Sequence, residues 1–210
     1  MSTFESPSLL RQFEMLLDGR SLFVNAHWMA ELSPYFHQIC FCTNFDEART
    51  GRVEMRDVHF SDVLQLLNYC CPDKEHLFSK KIDDLNFAAL IHCSNRFQIP
   101  TVQRDLEKFI EIEMSRDTCK LTPETLIDVI IEANYANYRP SLMLCIYKKL
   151  SNFGEVTIRE ALKAKQLPED SCKAVMEETA KYIKVIHPPI IRHNNWDTRH
   201  NYNWEQRVFF

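Results

Sequence analysis

Two short apolar runs near the start of the chain, FEMLL and SLFV, are rich in strand-forming residues and are separated by Asp18-Gly19. Short runs of this kind are typical of β-strands, and Asp-Gly is a dipeptide that favours tight hairpin turns. The pattern therefore predicts a two-strand hairpin near residues 13–24. A further brief strand is predicted at RVEM, with Val53 and Met55 on one face.

Between and after these strands, apolar residues recur every three or four positions, which is typical of helices. Asn25 is a suitable N-cap, and the spacing after it predicts a short helix, a Ser-Pro break and a second short helix to about Cys42. Longer helices are predicted within FSDVLQLLNYCC, DDLNFAALIHCSNRF and TVQRDLEKFIEIEM. In the second of these, Leu85 and His92 are expected on the apolar face, and a histidine there is more often a hydrogen-bonded core residue than a ligand.

From about Asp117 the pattern is helical only. Thr122-Pro123 is a good helix start, because threonine can cap the first turn and proline at the first helical position loses no hydrogen bond. A second helix is predicted within RPSLMLCIYKKLSNF, and a third follows Leu167. We expect these three helices to form a small module.

The predicted elements define an α+β, mainly helical chain in three parts. Residues 1–115 combine a small sheet containing a hairpin with flanking helices, and residues 116–186 form an all-α module. Residues 187–210 have no periodicity and are expected to be an irregular tail rich in aromatic residues, histidine and asparagine.

Composition narrows the function classes. The chain has 210 residues, 45% of them hydrophobic and 26% charged, which is typical of a folded protein. Its net charge of −4 provides no basic surface for nucleic acid. Because it shows neither a long apolar run nor a signal-peptide pattern, we expect no membrane segment and a location in the cytoplasm, the nucleus or both.

The sequence shows no set of residues typical of catalysis. It has only three glycines, and none of the glycine-rich phosphate or nucleophile motifs occurs. The eight cysteines form no C-x-x-C pair, and His187, His193 and His200 are too widely spaced for a typical zinc site. We therefore expect no enzymatic activity, cofactor or metal; a metal or redox protein using these histidines and cysteines is a third alternative.

Several ordered segments resemble BTB/POZ domains over about residues 11–113. They are LFVNAHWMAELSPYF, RVEMRDVHFSDVLQLLNYC and IPTVQRDLEKFI, and the form of KKIDDLNFAALIHCSNRFQIP is most similar to the BTB domains of large nematode families. The helices after Asp117 resemble, more loosely, the BACK-like extension that often follows a BTB domain.

This resemblance implies a protein-interaction module, commonly a homodimer, and many such proteins are substrate adaptors of cullin-3 ubiquitin ligases. In those adaptors a hydrophobic residue, any residue and a glutamate lie between the second helix and the third strand, a pattern matched here by Phe45-Asp46-Glu47. Asp57 and Tyr69 occupy positions that flank the docking surface. The alternative is that Phe45 folds back onto its own helix and the two acids form a solvated corner.

Two departures from the family concern self-association. Many members have an aspartate and a basic residue near the dimer interface, where this chain has Gln12 and Ala26. Because the aspartate and the basic residue are both absent, no unpaired charge is left in a partly buried position. The fold is therefore expected to survive without the charged pocket. The apolar residues expected at a self-interface, unless they belong to the core of one subunit, are Leu9, Leu10, Phe13 and Trp28.

The leading hypothesis is therefore a cullin-3 adaptor that performs no chemistry itself. The alternative is a BTB scaffold without ligase function in a transcriptional or cytoskeletal assembly. As an adaptor, the chain would bind a protein substrate in addition to cullin-3. Aromatic residues of the tail that could form a partner surface, or anchor the tail to the chain itself, are Trp196, Tyr202, Trp204, Phe209 and Phe210.

Overall fold

The computed structural model describes residues 4–71, 81–114, 116 and 119–186, with only the backbone for residues 184–186. In this part of the chain, a three-stranded sheet in the order β2-β1-β3 is surrounded by helices. The strands are β1 (Phe13–Leu17), β2 (Arg20–Val24) and β3 (Arg52–Met55). Strand β1 pairs with β2 in antiparallel and with β3 in parallel orientation.

The predicted hairpin is confirmed. Asp18 and Gly19 connect its strands with φ angles of 48° and 73°, the left-handed backbone that tight hairpin turns require. The Asp18 carboxylate also accepts a hydrogen bond from the amide of Phe60 at 2.8 Å. The turn is thereby joined to the start of the next long helix.

Six helices of the first half pack around this sheet. They are α1 (Ala26–Leu32), α2 (Pro34–Phe41), α3 (Asp46–Thr50), α4 (Phe60–Cys70), α5 (Phe87–Arg96) and α6 (Pro100–Lys108), the last continued by a π-helical segment, Phe109–Glu113. The Asn25 side chain accepts a hydrogen bond from the Trp28 amide at 3.2 Å, which confirms the predicted cap of α1. Ser33 ends α1 and caps α2 by accepting from the Phe36 amide at 3.2 Å.

The sheet and these helices share one hydrophobic core. Met15 and Leu22 of the sheet are fully buried, as are Met29 of α1 and Phe36 of α2. The ring of Phe36 lies 5.2 Å from that of Phe97, which follows α5. The ring contact and the shared core hold α2 and the end of α5 in fixed positions relative to each other.

The second half of the described chain is helical, as predicted, but its helices differ in number from the expectation. They are α7 (Pro123–Tyr135), α8 (Pro140–Ser151), α9 (Glu155–Ala164) and α10 (Glu169–Ile186). The sequence reading missed α9, whose buried residues are only Ile158, Ala161 and Leu162. Thr122 caps α7 as predicted, accepting from the Thr125 amide at 3.2 Å.

The helical module is attached to the first half through α5 and α7, which pack against each other. On this boundary the Nδ1 atom of His92 lies 2.9 Å from Oε2 of Glu132. The Asp84 carboxylate accepts a hydrogen bond from the Thr122 amide at 2.8 Å. Both interactions cross between the two halves.

Two local predictions need correction. Leu85 does not belong to the apolar face of a helix, because α5 begins at Phe87 and Leu85 is 79% exposed. No helix is predicted between Cys42 and the strand RVEM, but Asp46–Thr50 forms the short helix α3. No residue of α3 is buried, so hydrophobic periodicity provides no signal for it.

Candidate functional site

Phe45 lies immediately before the first turn of α3, between α2 and β3. Its amide donates a hydrogen bond to the Cys42 carbonyl at 3.0 Å, which ties it to the end of α2. The side chain is 40% exposed although it is a large aromatic ring. Phe45 therefore keeps a substantial apolar surface in contact with solvent.

Helix α3 is short but held at both ends. Asp46 and Glu47 lie in its first turn, where negative charge is favourable, and Asp46 forms an ion pair with Arg49 one turn later. Gly51 ends the helix with a φ of 66°, a left-handed conformation that glycine adopts at little cost. The acidic first turn, the ion pair and the glycine thus stabilise the short helix that directly follows Phe45.

A charged cluster is formed by Arg96, Asp57 and Tyr35. Arg96, in the last turn of α5, donates from Nε to the carboxylate of Asp57, and its guanidinium carbon lies 4.9 Å from the ring centroid of Tyr35. The hydrogen bond from Arg96 holds the pKa of Asp57 below its ordinary value. Asp57 is thus an anion, with 53% of its side chain exposed.

Tyr35 links this cluster to α3. Burial raises the pKa of its hydroxyl, the neighbouring Arg96 opposes that rise, and the negative charges of Asp57 and Glu47 add to it. Helix α3 also packs against α2, the helix that carries Tyr35. We call the surface formed by Phe45, Glu47, Asp57, Tyr35 and Arg96 the α3 surface.

Tyr69 is not part of that surface, which corrects the sequence-based expectation. Its side chain is only 3% exposed, and its hydroxyl donates a hydrogen bond to the Asp105 carboxylate at 3.1 Å. Burial is the main cause of a raised pKa at this hydroxyl, and the nearby Asp105 charge adds to it. The residue packs α4 against α6 and offers a partner almost no area.

Comparison with known proteins identifies the first half of the chain. The profile of the BTB/POZ domain matches residues 11–113, the part that contains the sheet, the α3 surface and the helices through α6. Residues 11–113 form a BTB/POZ domain. The resemblance proposed from the sequence motifs is thereby confirmed.

The related proteins share this domain at modest identity. Cytokinesis defective protein 7 of Caenorhabditis elegans is 28% identical over 151 residues, covering 70% of this chain and 54% of that protein. BTB and MATH domain-containing protein 36 of the same organism is 28% identical over 54% of this chain and 34% of its own length. Human Kelch-like protein 30 is 28% identical over 57% of this chain and 20% of its own length. The chain thus matches about half of the first relative and smaller parts of the other two.

The residues predicted to form a self-interface of the BTB/POZ domain fall into two groups. Leu9 and Leu10 are 88% and 70% exposed, whereas Phe13 is 5% exposed and belongs to the core of its own subunit. Trp28 is half-buried and packs against that core. Leu9 and Leu10 therefore have free surface for a second copy, and the expectation for Phe13 is corrected.

Three features of the surface were not found by sequence reasoning. Phe41, at the end of α2, is 39% exposed, and its ring centroid lies 4.8 Å from that of the tilted His27 ring, beside a groove of about 310 Å³. Tyr35 and Arg96 become part of the α3 surface because folding brings distant segments of the chain together. Alternating or helical periodicity gives no signal for them, because the Arg96 and Asp57 partners lie 39 residues apart in the chain.

Metal-site and membrane-span features are absent from the part of the chain that the structure describes. There, no group of three or more histidine, cysteine or acidic residues is arranged to hold a metal ion. Among the same residues, no helix has the length and apolarity needed to cross a membrane. Outside the described residues lie the three tail histidines and the proposed aromatic partner surface, which comprises Trp196, Tyr202, Trp204, Phe209 and Phe210.

Proposed function

We propose that this chain is a protein-interaction module that acts as a substrate adaptor of a cullin-3 ubiquitin ligase. In this proposal the BTB/POZ domain docks on the ligase through the α3 surface, with Phe45 inserting into an apolar site on the cullin. The helical module holds a protein substrate. The chain performs no chemistry and raises the substrate's effective concentration at the ligase.

The observation that carries the proposal is the exposed ring of Phe45 directly before Asp46 and Glu47. An aromatic anchor surrounded by polar residues is the usual composition of an interaction hot spot, because the anchor is desolvated while its rim keeps water out. Here Phe45 is 40% exposed, and the flanking Asp57 is charged and exposed. Covering the remaining apolar area of a phenylalanine is worth about 1 kcal/mol or more.

The rigidity of the surroundings supports docking without rearrangement. Phe36 and Phe97 are fully buried beneath the surface, and Arg96 connects α5 to the segment after β3. A preorganised surface loses little conformational entropy on binding. Phe45 is therefore presented in a defined position, which a flexible loop would not provide.

A second candidate function is a BTB scaffold without ligase activity, favoured by the exposed Leu9, Leu10 and Phe41. These residues provide apolar area for self-association. Self-association is compatible with the adaptor function, since a dimer would present two substrates to the ligase. The two functions differ in whether cullin-3 binds.

The proposal is tested by co-precipitation of cullin-3 with the full chain and with the double variant Phe45→Ala, Glu47→Ala. A matched control is Tyr135→Ala with Glu124→Ala, which removes an exposed aromatic and an exposed acid from the helical module. We expect cullin-3 with wild type and the control, and strongly reduced recovery with the double variant. Equal recovery from all three would reject the α3 surface, and no recovery from wild type would favour the scaffold.

A further inference from the structure

A groove of about 420 Å³ lies between α9 and α10 of the helical module, and its lining shares no residue with the α3 surface. Its apolar lining comes from Leu162 of α9, Leu167 of the connection, and Cys172 and Met176 of α10. Leu162 is buried, while the other three are partly exposed and pack against the core. The groove is therefore preformed, with a floor suited to an apolar side chain and a volume in the range of small binding sites.

The rim of the groove is basic. Arg159, Lys163 and Lys173 line it, against a single acid, Glu169. Arg159 is already paired with Glu155 at 2.6 Å. Within the described part of the chain, Lys163 and Lys173 are exposed and form no ion pair with a carboxylate.

This local charge contrasts with that of the whole chain, which has a net charge of −4. Two unpaired lysines beside an apolar floor attract an anionic partner, and the attraction is greatest where water is partly excluded. An apolar floor with a cationic rim selects a ligand that carries an apolar side chain between negative charges. An apolar ligand alone would leave the lysines without a counter-charge.

We infer that the α9–α10 groove is a docking site for an acidic peptide segment that inserts one apolar side chain, such as leucine, between glutamate or aspartate residues. The peptide belongs to another protein. The identification of that protein as the ubiquitination substrate rests on the proposed function. Binding of an acidic peptide in the groove does not depend on it. The inference thereby names a chemical class for the substrate's recognition segment.

The charge of residues 187–210 makes this segment of the chain unsuited to the α9–α10 groove. That segment contains Arg192, Arg199 and Arg207, but only two acids, Asp197 and Glu205. A cationic segment is repelled by Lys163 and Lys173. The charge complementarity therefore favours a separate, acidic partner.

The inference is tested with an array of fluorescein-labelled peptides in which the central residue is leucine and the flanking positions are glutamate, serine or lysine. Binding to the purified full chain is measured by fluorescence anisotropy. We expect the glutamate-flanked peptides to bind, the lysine-flanked peptides not to bind, and replacement of the central leucine by serine to abolish binding. Binding of glutamate-flanked peptides should also weaken as salt is added.

Charge reversal at the rim tests whether the peptides bind in the groove. The variant Lys163→Glu with Lys173→Glu should weaken the glutamate-flanked peptides at least about tenfold. The matched control, Lys120→Glu with Lys148→Glu, changes two exposed lysines outside the groove and should bind as wild type does. All three proteins are compared by circular dichroism, so that a loss of binding is separated from a loss of folding.

Several results would overturn the inference: no binding of any peptide, no preference for glutamate over lysine, or equal loss in the rim and control variants. Cullin-3 binding is measured on the same samples, and the rim variant should retain it. Peptide binding without cullin-3 binding would reject the adaptor function and leave the groove assignment intact. Cullin-3 binding without peptide binding would reject the groove assignment and leave the adaptor function intact.

Discussion

Asp57 and Arg96 form an ion pair between the segment after β3 and the last turn of α5, with the Arg96 Nε as donor. The pair lies beside Tyr35, whose ring receives the guanidinium group at 4.9 Å. A planar guanidinium can donate to a carboxylate and stack on an aromatic ring at the same time. Arg96 therefore positions both neighbours on the α3 surface.

The first prediction concerns the titration of Asp57. Because Arg96 lowers its pKa from the ordinary value of 3.8, the interaction contributes stability that is fully present above pH 3.8. That contribution is lost as the pH falls through the lower pKa of the folded state. Carboxyl NMR shifts should place the midpoint of Asp57 below 3.8 in wild type, and in Arg96→Ala the midpoint should rise towards it.

Arg104→Ala is the control for this titration. Arg104 is exposed, and its Nε donates to the Pro100 carbonyl at 3.4 Å. Its removal should leave the Asp57 midpoint unchanged. An unchanged midpoint in Arg96→Ala would show that Arg96 does not set the charge of the α3 surface.

The second prediction concerns Asp84, which joins the BTB/POZ domain to the helical module. Its carboxylate accepts from the amide of Thr122 at 2.8 Å and from the hydroxyl of Thr122 at 3.2 Å, at the start of α7. Asp84→Ala should lower the free energy of unfolding by about 1 kcal/mol, the usual cost of losing such a helix-terminal acceptor. Asp84→Asn retains an acceptor oxygen and should lose less.

Urea denaturation measures both changes. Glu160→Ala is the control, because Glu160 is an exposed acid of α9 that is remote from the start of α7 in sequence. It should stay within about 0.5 kcal/mol of wild type. If Asp84→Ala were as stable as Glu160→Ala, the Asp84–Thr122 contact would contribute nothing to the attachment of the module.

The third prediction concerns self-association through Leu9 and Leu10. Glutamate at both positions should convert a dimer into a monomer, since charge in an apolar interface lacks a counter-charge. Light scattering coupled to size-exclusion chromatography measures the change. Leu85→Glu is a matched control, because Leu85 is an equally exposed leucine at 79%. A monomeric wild type, or a dimer that survives the double substitution, would reject this interface.

The sequence alone was sufficient to predict the structure correctly where a local rule determines that structure. Asp18-Gly19 specifies its turn through two residues in left-handed conformations, and Asn25 and Thr122 cap helices with their own side chains. Strong apolar stripes likewise predicted α4 and α7. These features depend on residues close in the chain, so that pattern and propensity agree.

Where stability depends on tertiary contacts, the sequence was not sufficient. Helix α9 buries only three residues, among them Ile158, which is too sparse a stripe to recognise. The family resemblance assigned Tyr69 to a position flanking the docking surface, yet its hydroxyl reaches Asp105, 36 residues away, and the ring is buried. The position of Phe45 in the motif came from the family resemblance, but its exposure required the structure.

The central claim is tested most directly by calorimetric titration of the full chain with the purified N-terminal region of cullin-3. We predict saturable binding to wild type and to Tyr135→Ala. Phe45→Ala should weaken it by at least about thirtyfold, corresponding to a hot-spot loss of about 2 kcal/mol. Equal affinities of wild type and Phe45→Ala, or no binding of wild type, would contradict the assignment of the α3 surface as the cullin-docking site.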